Sequence, residues 1–181
     1  MKKLGLRSII VKRCNHNGNK KVDDKNKENL LAQNLKAEKP SEKWVGDITY
    51  IYTKETGWTY LAIVMDLFDL KVIGWTYGVN MTANLVIDAF AKAKSKRDIT
   101  ENKVKHSYSK KGYPYDNASM ESFNAILKKE EVNVNTYTTF KEARLAIFEF
   151  IESWYNNTRI HGSLDYKTPN QKYDEYIKNI A

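Results

Sequence analysis

Three blocks rich in apolar residues follow one another closely after residue 43. WVGDITYIYT, residues 44–53, is dense in β-branched and aromatic side chains and predicts a strand. TYLAIVMDLF, residues 59–68, is a near-continuous apolar run, as a strand buried on both faces should be. KVIGWTYGV, residues 71–79, predicts a third strand, and Thr56-Gly57-Trp58 reads as a turn. The short links between the blocks predict an antiparallel meander.

The period changes at Thr82. In TANLVIDAFAKAKSKRD the apolar positions Leu85, Val86, Ile87, Ala89, Phe90, Ala91 and Ala93 fit a helix, with Thr82 as its N-cap. NKVKHS, residues 102–107, predicts a fourth strand reached by a crossover. DNASMESFNAILKKEE, residues 116–131, predicts a second helix. TFKEARLAIFEFIESWYNN, residues 139–157, predicts a third, with Ala143, Ile147, Phe150, Ile151 and Trp154 on one face and Thr139 with Glu142 as a capping box. Strands, crossover helix, strand and further helices make an α/β layout. The chain divides into a basic N-terminal arm, partly disordered, over residues 1–43, a core over residues 44–169 and a C-terminal tail over residues 170–181.

Charge changes this picture at one end. The formal net charge is +8, of which the first 43 residues carry +7 and the remaining 138 only +1. The arm residues Lys2, Lys3, Arg7, Lys12, Arg13, Lys20 and Lys21 suit a polyanion, because neutralising phosphates releases their counterions. The alternative is a solvated lysine-rich tail, and Asn15–Glu28 has almost no apolar residue to order it. Cys14 is the single cysteine and cannot form an internal disulfide, which fits a reducing compartment. The opening MKKLGLRSIIVKRC holds too short an apolar run for a secretion signal, and no run approaches a bilayer span. A soluble cytoplasmic protein is the expectation.

Two acids stand out. Asp47 sits in the first predicted strand, where a carboxylate is costly unless paired, hydrogen-bonded or bound to a cation. Glu121 and Lys128, seven apart on the second helix, fall on one face, and Asn117 and Asn124 share that stripe. Met120, Phe123, Ile126 and Leu127 are left for the core. Such an Asp and Glu suit metal-assisted phosphoryl transfer, since hard cations such as Mg²⁺ prefer carboxylate oxygens. The plainer alternatives are an Asp bonding a nearby backbone amide and a Glu on a solvated helix face.

WVGDITYI at 44–51, GWTYLAIVMDLF at 57–68, KVIGW at 71–75, KKGYPYDNASMESFNAILKKE at 110–130 and YNNTRIHGSLDYKTP at 155–169, in that order, closely resemble the integrase-core transposases of bacterial insertion sequences. The resemblance is to the second open reading frame of the insertion-sequence three family, and ENLLAQNLKAEKPSEKW resembles that family's lead-in to the core. It implies a ribonuclease-H-like mixed sheet, strand order 3-2-1-4, with packed helices. It also implies an Asp-Asp-Glu triad binding Mg²⁺ or Mn²⁺, and cleavage of transposon ends followed by strand transfer into target DNA by a 3′-hydroxyl. Asp47 matches the first Asp of the triad, Glu121 its Glu, and Lys128 the basic residue seven places further on.

The chain departs from the family at one point. After its fourth strand the family reads His-Ser-Asp, and that Asp is the second metal ligand; here His106-Ser107 is followed by Tyr108. Thirteen residues separate Ser107 from Glu121, where the family usually has thirty-five between its second Asp and the Glu. About two dozen residues are therefore missing by this comparison, with an edge strand and the second Asp among them. Asp116 and Asp66 are the nearby acids that could stand in. Two functions follow: a truncated, catalytically impaired transposase core, or a non-catalytic DNA-binding remnant that interferes with an intact transposase. Its partners would be DNA, with self-association or an intact transposase beside it. Its place would be the cytoplasm, on the nucleoid.

Overall fold

The computed structural model describes residues 30–31, 34–97, 107 and 117–180. Three strands form an antiparallel sheet in the order β1-β2-β3: β1 over Trp44–Thr53, β2 over Gly57–Asp66 and β3 over Val72–Gly78. In the first hairpin Thr53 pairs with Gly57, Asp47 with Ile63 and Trp44 with Asp66. Gly57 closes it with a φ of 78°, a conformation glycine adopts without steric cost.

β2 is the central strand of the three, and its apolar run serves both faces. Leu61, Ile63 and Met65 pack on one side; Ala62 and Val64 pack on the other. A bulge in β3 lets Val64 pair with Gly74 and Met65 with Val72, leaving Ile73 as the extra residue. Val72 consequently joins the first side and Ile73 the second.

Helix α1, Ala83–Lys96, covers the second face. The Thr82 hydroxyl accepts from the Leu85 amide at 3.4 Å, as its N-cap. The buried face is Leu85, Ala89 and Ala93, whereas Val86 and Ile87 remain exposed. Gly74 permits the close approach: a β-carbon there would lie 2.2 Å from the Ala89 carbonyl oxygen.

The first face is covered by α2, Ala118–Leu127, and α3, Phe140–Phe148. Each runs on into a wider π-helical stretch, Lys128–Val132 and Glu149–Tyr155. Met120, Phe123, Leu127, Ala143, Ile147 and Ile151 are fully buried between these helices and the sheet. Thr139 and Glu142 form the capping box of α3. Asn156, just past the π-helical stretch, turns its amide onto β3: its Oδ1 accepts from the Val72 amide and its Nδ2 donates to the Val72 carbonyl, both at 3.0 Å. The side chain thus does for the bulged end of β3 what a neighbouring strand would do.

The stretch that reads from sequence as a C-terminal tail is helical, as α4 over Pro169–Ile180. Thr168 and Gln171 bond reciprocally across its start, with Pro169 between them. Leu31, Leu35 and Ala37 of the lead-in pack on the core, and the Leu31 amide donates to the Ser107 hydroxyl at 3.1 Å. The fourth strand expected at residues 102–107 lies, Ser107 apart, outside the described residues. Among the described residues no helix is long and apolar enough to cross a membrane.

Candidate functional site

β1 and α2 build the site along one seam. Alternation on β1 turns Val45 and Ile51 toward the layer of α2 and α3, and Asp47 lies in the same register between them. Asp47 is half-buried. Its Oδ1 accepts the amide of Ile48 at 2.9 Å, and its Oδ2 accepts from the Asn124 side chain at 2.8 Å. No cation pairs with it among the described residues, so burial pushes its carboxyl above the ordinary value, and the two hydrogen bonds pull only partly the other way.

Glu121 and Asn124 of α2, with Lys128 just past its end, share the stripe beside the buried Met120, Phe123 and Leu127. Asn124 meets Asp47, and the Lys128 ammonium reaches Tyr50, donating to its carbonyl and lying 4.6 Å from its ring centre. Helix and strand therefore run the same way along the seam. Burial lowers the Lys128 ammonium below its ordinary range. Glu121 lies one turn before Asn124 and is exposed.

The donor atoms here are hard oxygens. Beside the two carboxylates, the Asn124 Oδ1 is buried with no hydrogen-bond partner among the described residues, and an orphaned buried acceptor is uncommon. By their chemistry, carboxylate and amide oxygens such as these suit a hard divalent cation. Among the described residues no three His, Cys, Asp or Glu side chains gather closely enough to hold a metal ion.

Asp66 is committed elsewhere. It is fully buried at the far end of β2, where its Oδ2 accepts the Ser41 amide at 2.8 Å and its Oδ1 the Phe68 amide at 3.0 Å. Asp116 and the seven basic arm residues Lys2, Lys3, Arg7, Lys12, Arg13, Lys20 and Lys21 lie outside the described residues. A groove of about 650 Å³ runs beside β3 between α1 and α3, past Lys92, Lys96, Lys141 and Arg144. β2 lies between it and β1, so it is separate from the Asp47 seam.

Helical spacing puts Asn124 on the right stripe but gives it no partner. Nor does it point to Tyr50 as the partner of Lys128, a contact across 78 residues that no spacing rule reaches.

Residues 37–128 and 102–169 match families described as integrase core domain. The chain is 38% identical to the transposase for insertion sequence element IS904 of Lactococcus lactis, over 87% of this chain and 71% of the relative. It is 37% identical to transposase InsF for insertion sequence IS3A of Escherichia coli, over 85% of this chain and 60% of that relative. This chain belongs to the integrase-core transposases of the insertion-sequence three type. Proteins of this family generally use divalent metal ions.

Proposed function

We propose that the chain is a truncated, catalytically impaired transposase core acting on DNA. Its ancestral chemistry is attack on a phosphodiester at the transposon end, releasing a 3′-hydroxyl, and then attack by that hydroxyl on a target phosphodiester. The observation that carries this reading is the Asp47–Asn124 bond, which brings the α2 stripe holding Glu121 and Lys128 onto β1. Asp47 and Glu121 would hold Mg²⁺ or Mn²⁺, with Asn124 supplying a neutral oxygen. A bound divalent ion would neutralise charge on the reacting phosphate. Lys128 keeps a positive charge at the end of the seam, beside Tyr50.

The impairment follows from the missing ligand. Ser107 is followed by Tyr108, and a strand at 102–107 would sit beside β1 in the order 3-2-1-4 without an acid at its end. The aligned span with the lactococcal relative is 181 positions yet takes in 87% of this 181-residue chain, so about two dozen positions of the relative face a gap here. Mg²⁺ demands near-octahedral oxygen geometry, and two carboxylates hold it weakly. The arm over residues 1–43 adds nonspecific, salt-sensitive DNA binding through its lysines and arginines. The protein works in the cytoplasm, at the nucleoid.

A second reading, a non-catalytic DNA-binding remnant that competes with an intact transposase, is favoured by the +7 charge of the arm. Mg²⁺-dependent nicking of supercoiled DNA, measured beside an intact relative, separates the two. The chain should nick orders of magnitude more slowly; Tyr108→Asp should rescue little, and reinstating the whole missing segment should rescue much. Nicking at the rate of the intact relative, abolished by Asp47→Ala, would overturn the impairment. It would point to Asp116 as the third ligand.

A further inference from the structure

Three exposed aromatic rings sit together on the β1–β2 hairpin, and of these only Tyr50 touches the candidate site, through Lys128. Tyr52 lies directly across the hairpin from Trp58, and Tyr50 across from Tyr60. The Trp58 ring meets Tyr50 at 5.2 Å and 84°, and Tyr52 at 5.3 Å and 73°. On this face of the sheet the cluster around α1 takes in Trp44, Ile48 and Tyr60 but stops short of the hairpin tip. Tyr50, Tyr52 and Trp58 are left 42, 54 and 56% exposed. Cross-strand pairing accounts for two rings touching. A pair of β-branched residues would hold the same register with less apolar surface in water.

Lys128 is their link to the candidate site. Tyr50 is three residues beyond Asp47, about 10 Å along the strand, so its side chain leaves the opposite face of the sheet from the Asp47 carboxylate. The Lys128 ammonium closes the inner end of the cluster over the Tyr50 ring. Lys128, whose helix meets Asp47 through Asn124 on the other face, therefore reaches the cluster through Tyr50.

We propose that Tyr50, Tyr52 and Trp58 are a stacking platform for unpaired bases of a DNA strand whose backbone passes Lys128. Aromatic side chains accept any base by its π-face, and a nearby cation suits the sugar-phosphate that carries it. The Lys128 ammonium beside Tyr50 complements the strand's phosphates. A closed duplex stacks its bases on one another and offers the platform nothing, so the ligand is single-stranded or frayed DNA. This inference rests on the reading of the chain as a DNA-acting transposase core.

The test is fluorescence anisotropy of the intact chain in EDTA, with labelled oligothymidylate of about ten nucleotides, inside the usual site size of about 4–16, and a blunt duplex of equal charge. Replacing Tyr52 and Trp58 together by Ala should weaken oligothymidylate binding about tenfold or more, with duplex binding changed less than about twofold and the salt slope unaltered. Trp58→Phe should retain most of the affinity. Oligothymidylate should also quench the tryptophan emission of the unmodified chain, and Trp58→Phe should lose much of that quench, which keeps the test open if the double variant does not fold. Unchanged oligothymidylate binding, equal loss on both probes, or a quench independent of Trp58 overturns the platform while leaving the DNA reading intact. Failure of the unmodified chain to bind either probe overturns both.

Discussion

Asp66 and Asp69 at the β2–β3 link, and Asp47 with Glu121 at the seam of β1 and α2, are two groups of acids around one sheet. The first group is sealed. Both carboxylates and Arg97 are buried; Arg97 bonds Asp69, lies 3.8 Å from Asp66, and stacks its guanidinium 3.6 Å from the Tyr173 ring centre. Backbone amides of Ser41, Phe68 and Lys71 serve the remaining oxygens. Burial raises the Asp69 carboxyl above its ordinary value, and Arg97 is the main force against it. The second group is unfinished: Asp47 has two neutral donors and no cation, Glu121 is exposed, and Asn124 keeps an unanswered oxygen among the described residues. The carboxylates of the first group have a cation and backbone donors, although the Arg97 Nη1 keeps no hydrogen-bond partner among the described residues; those of the second stop a positive charge short.

Substitutions can break that contrast. The largest effect belongs to Arg97→Met, which strands two buried carboxylates and should lower unfolding free energy by about 3–5 kcal/mol in urea titrations; a loss well under that would mean the cluster is not structural. His161 should come next. It is buried against Tyr155, and burial holds its imidazole down at about 4. A base held below its ordinary value of 6.5 stabilises the fold above 6.5, and that stability is lost as pH falls from 6.5 toward 4. His161→Phe should flatten this acid limb, by about 2 kcal/mol across the window.

Asn156→Ala ranks third, at about 2 kcal/mol, for the two bonds it withdraws from Val72; thermal melts measure it. Asp47→Asn should be the smallest and of opposite sign, a slight gain near neutrality. Asp47 is held above its ordinary value of 3.8, so its contribution is present at low pH and lost as pH rises through the raised value. The gain should vanish in acid, and Mn²⁺ should narrow it by stabilising only the unmodified chain. A destabilised Asp47→Asn protein, indifferent to Mn²⁺, would put Asp47 with the sealed group.

Period and capping rules recover the three strands, the Thr82 cap and the Thr139–Glu142 box because these are local facts of spacing. What they miss is set across the chain. Ile87 looks like a core position of α1, but the face is chosen by the sheet, and the contact at Gly74 turns Ala89 and Ala93 inward instead. The bulge at Ile73 reverses sidedness within an unbroken apolar run. Arg97 ends a lysine-rich stretch and gives no sign of its partners 28 and 31 residues earlier. Helix α4 does carry a local signal, since Thr168-Pro169-Asn170-Gln171 is a helix start, but the polar residues after it make the stretch resemble a tail. On the seam, the Glu121 stripe can be drawn from helical geometry, whereas its meeting with Asp47 requires the fold.

The bond between Asn156 and Val72 also sets an order of events during synthesis. The two residues are 84 apart, so the bulged end of β3 leaves the ribosome long before its partner. At about 5–20 residues per second the wait is roughly 4–17 s, far longer than the microseconds a hairpin needs to form. The nascent sheet therefore waits with an unpartnered edge, and that interval, more than anything in the finished fold, is when this chain is open to capture by another strand or by a chaperone.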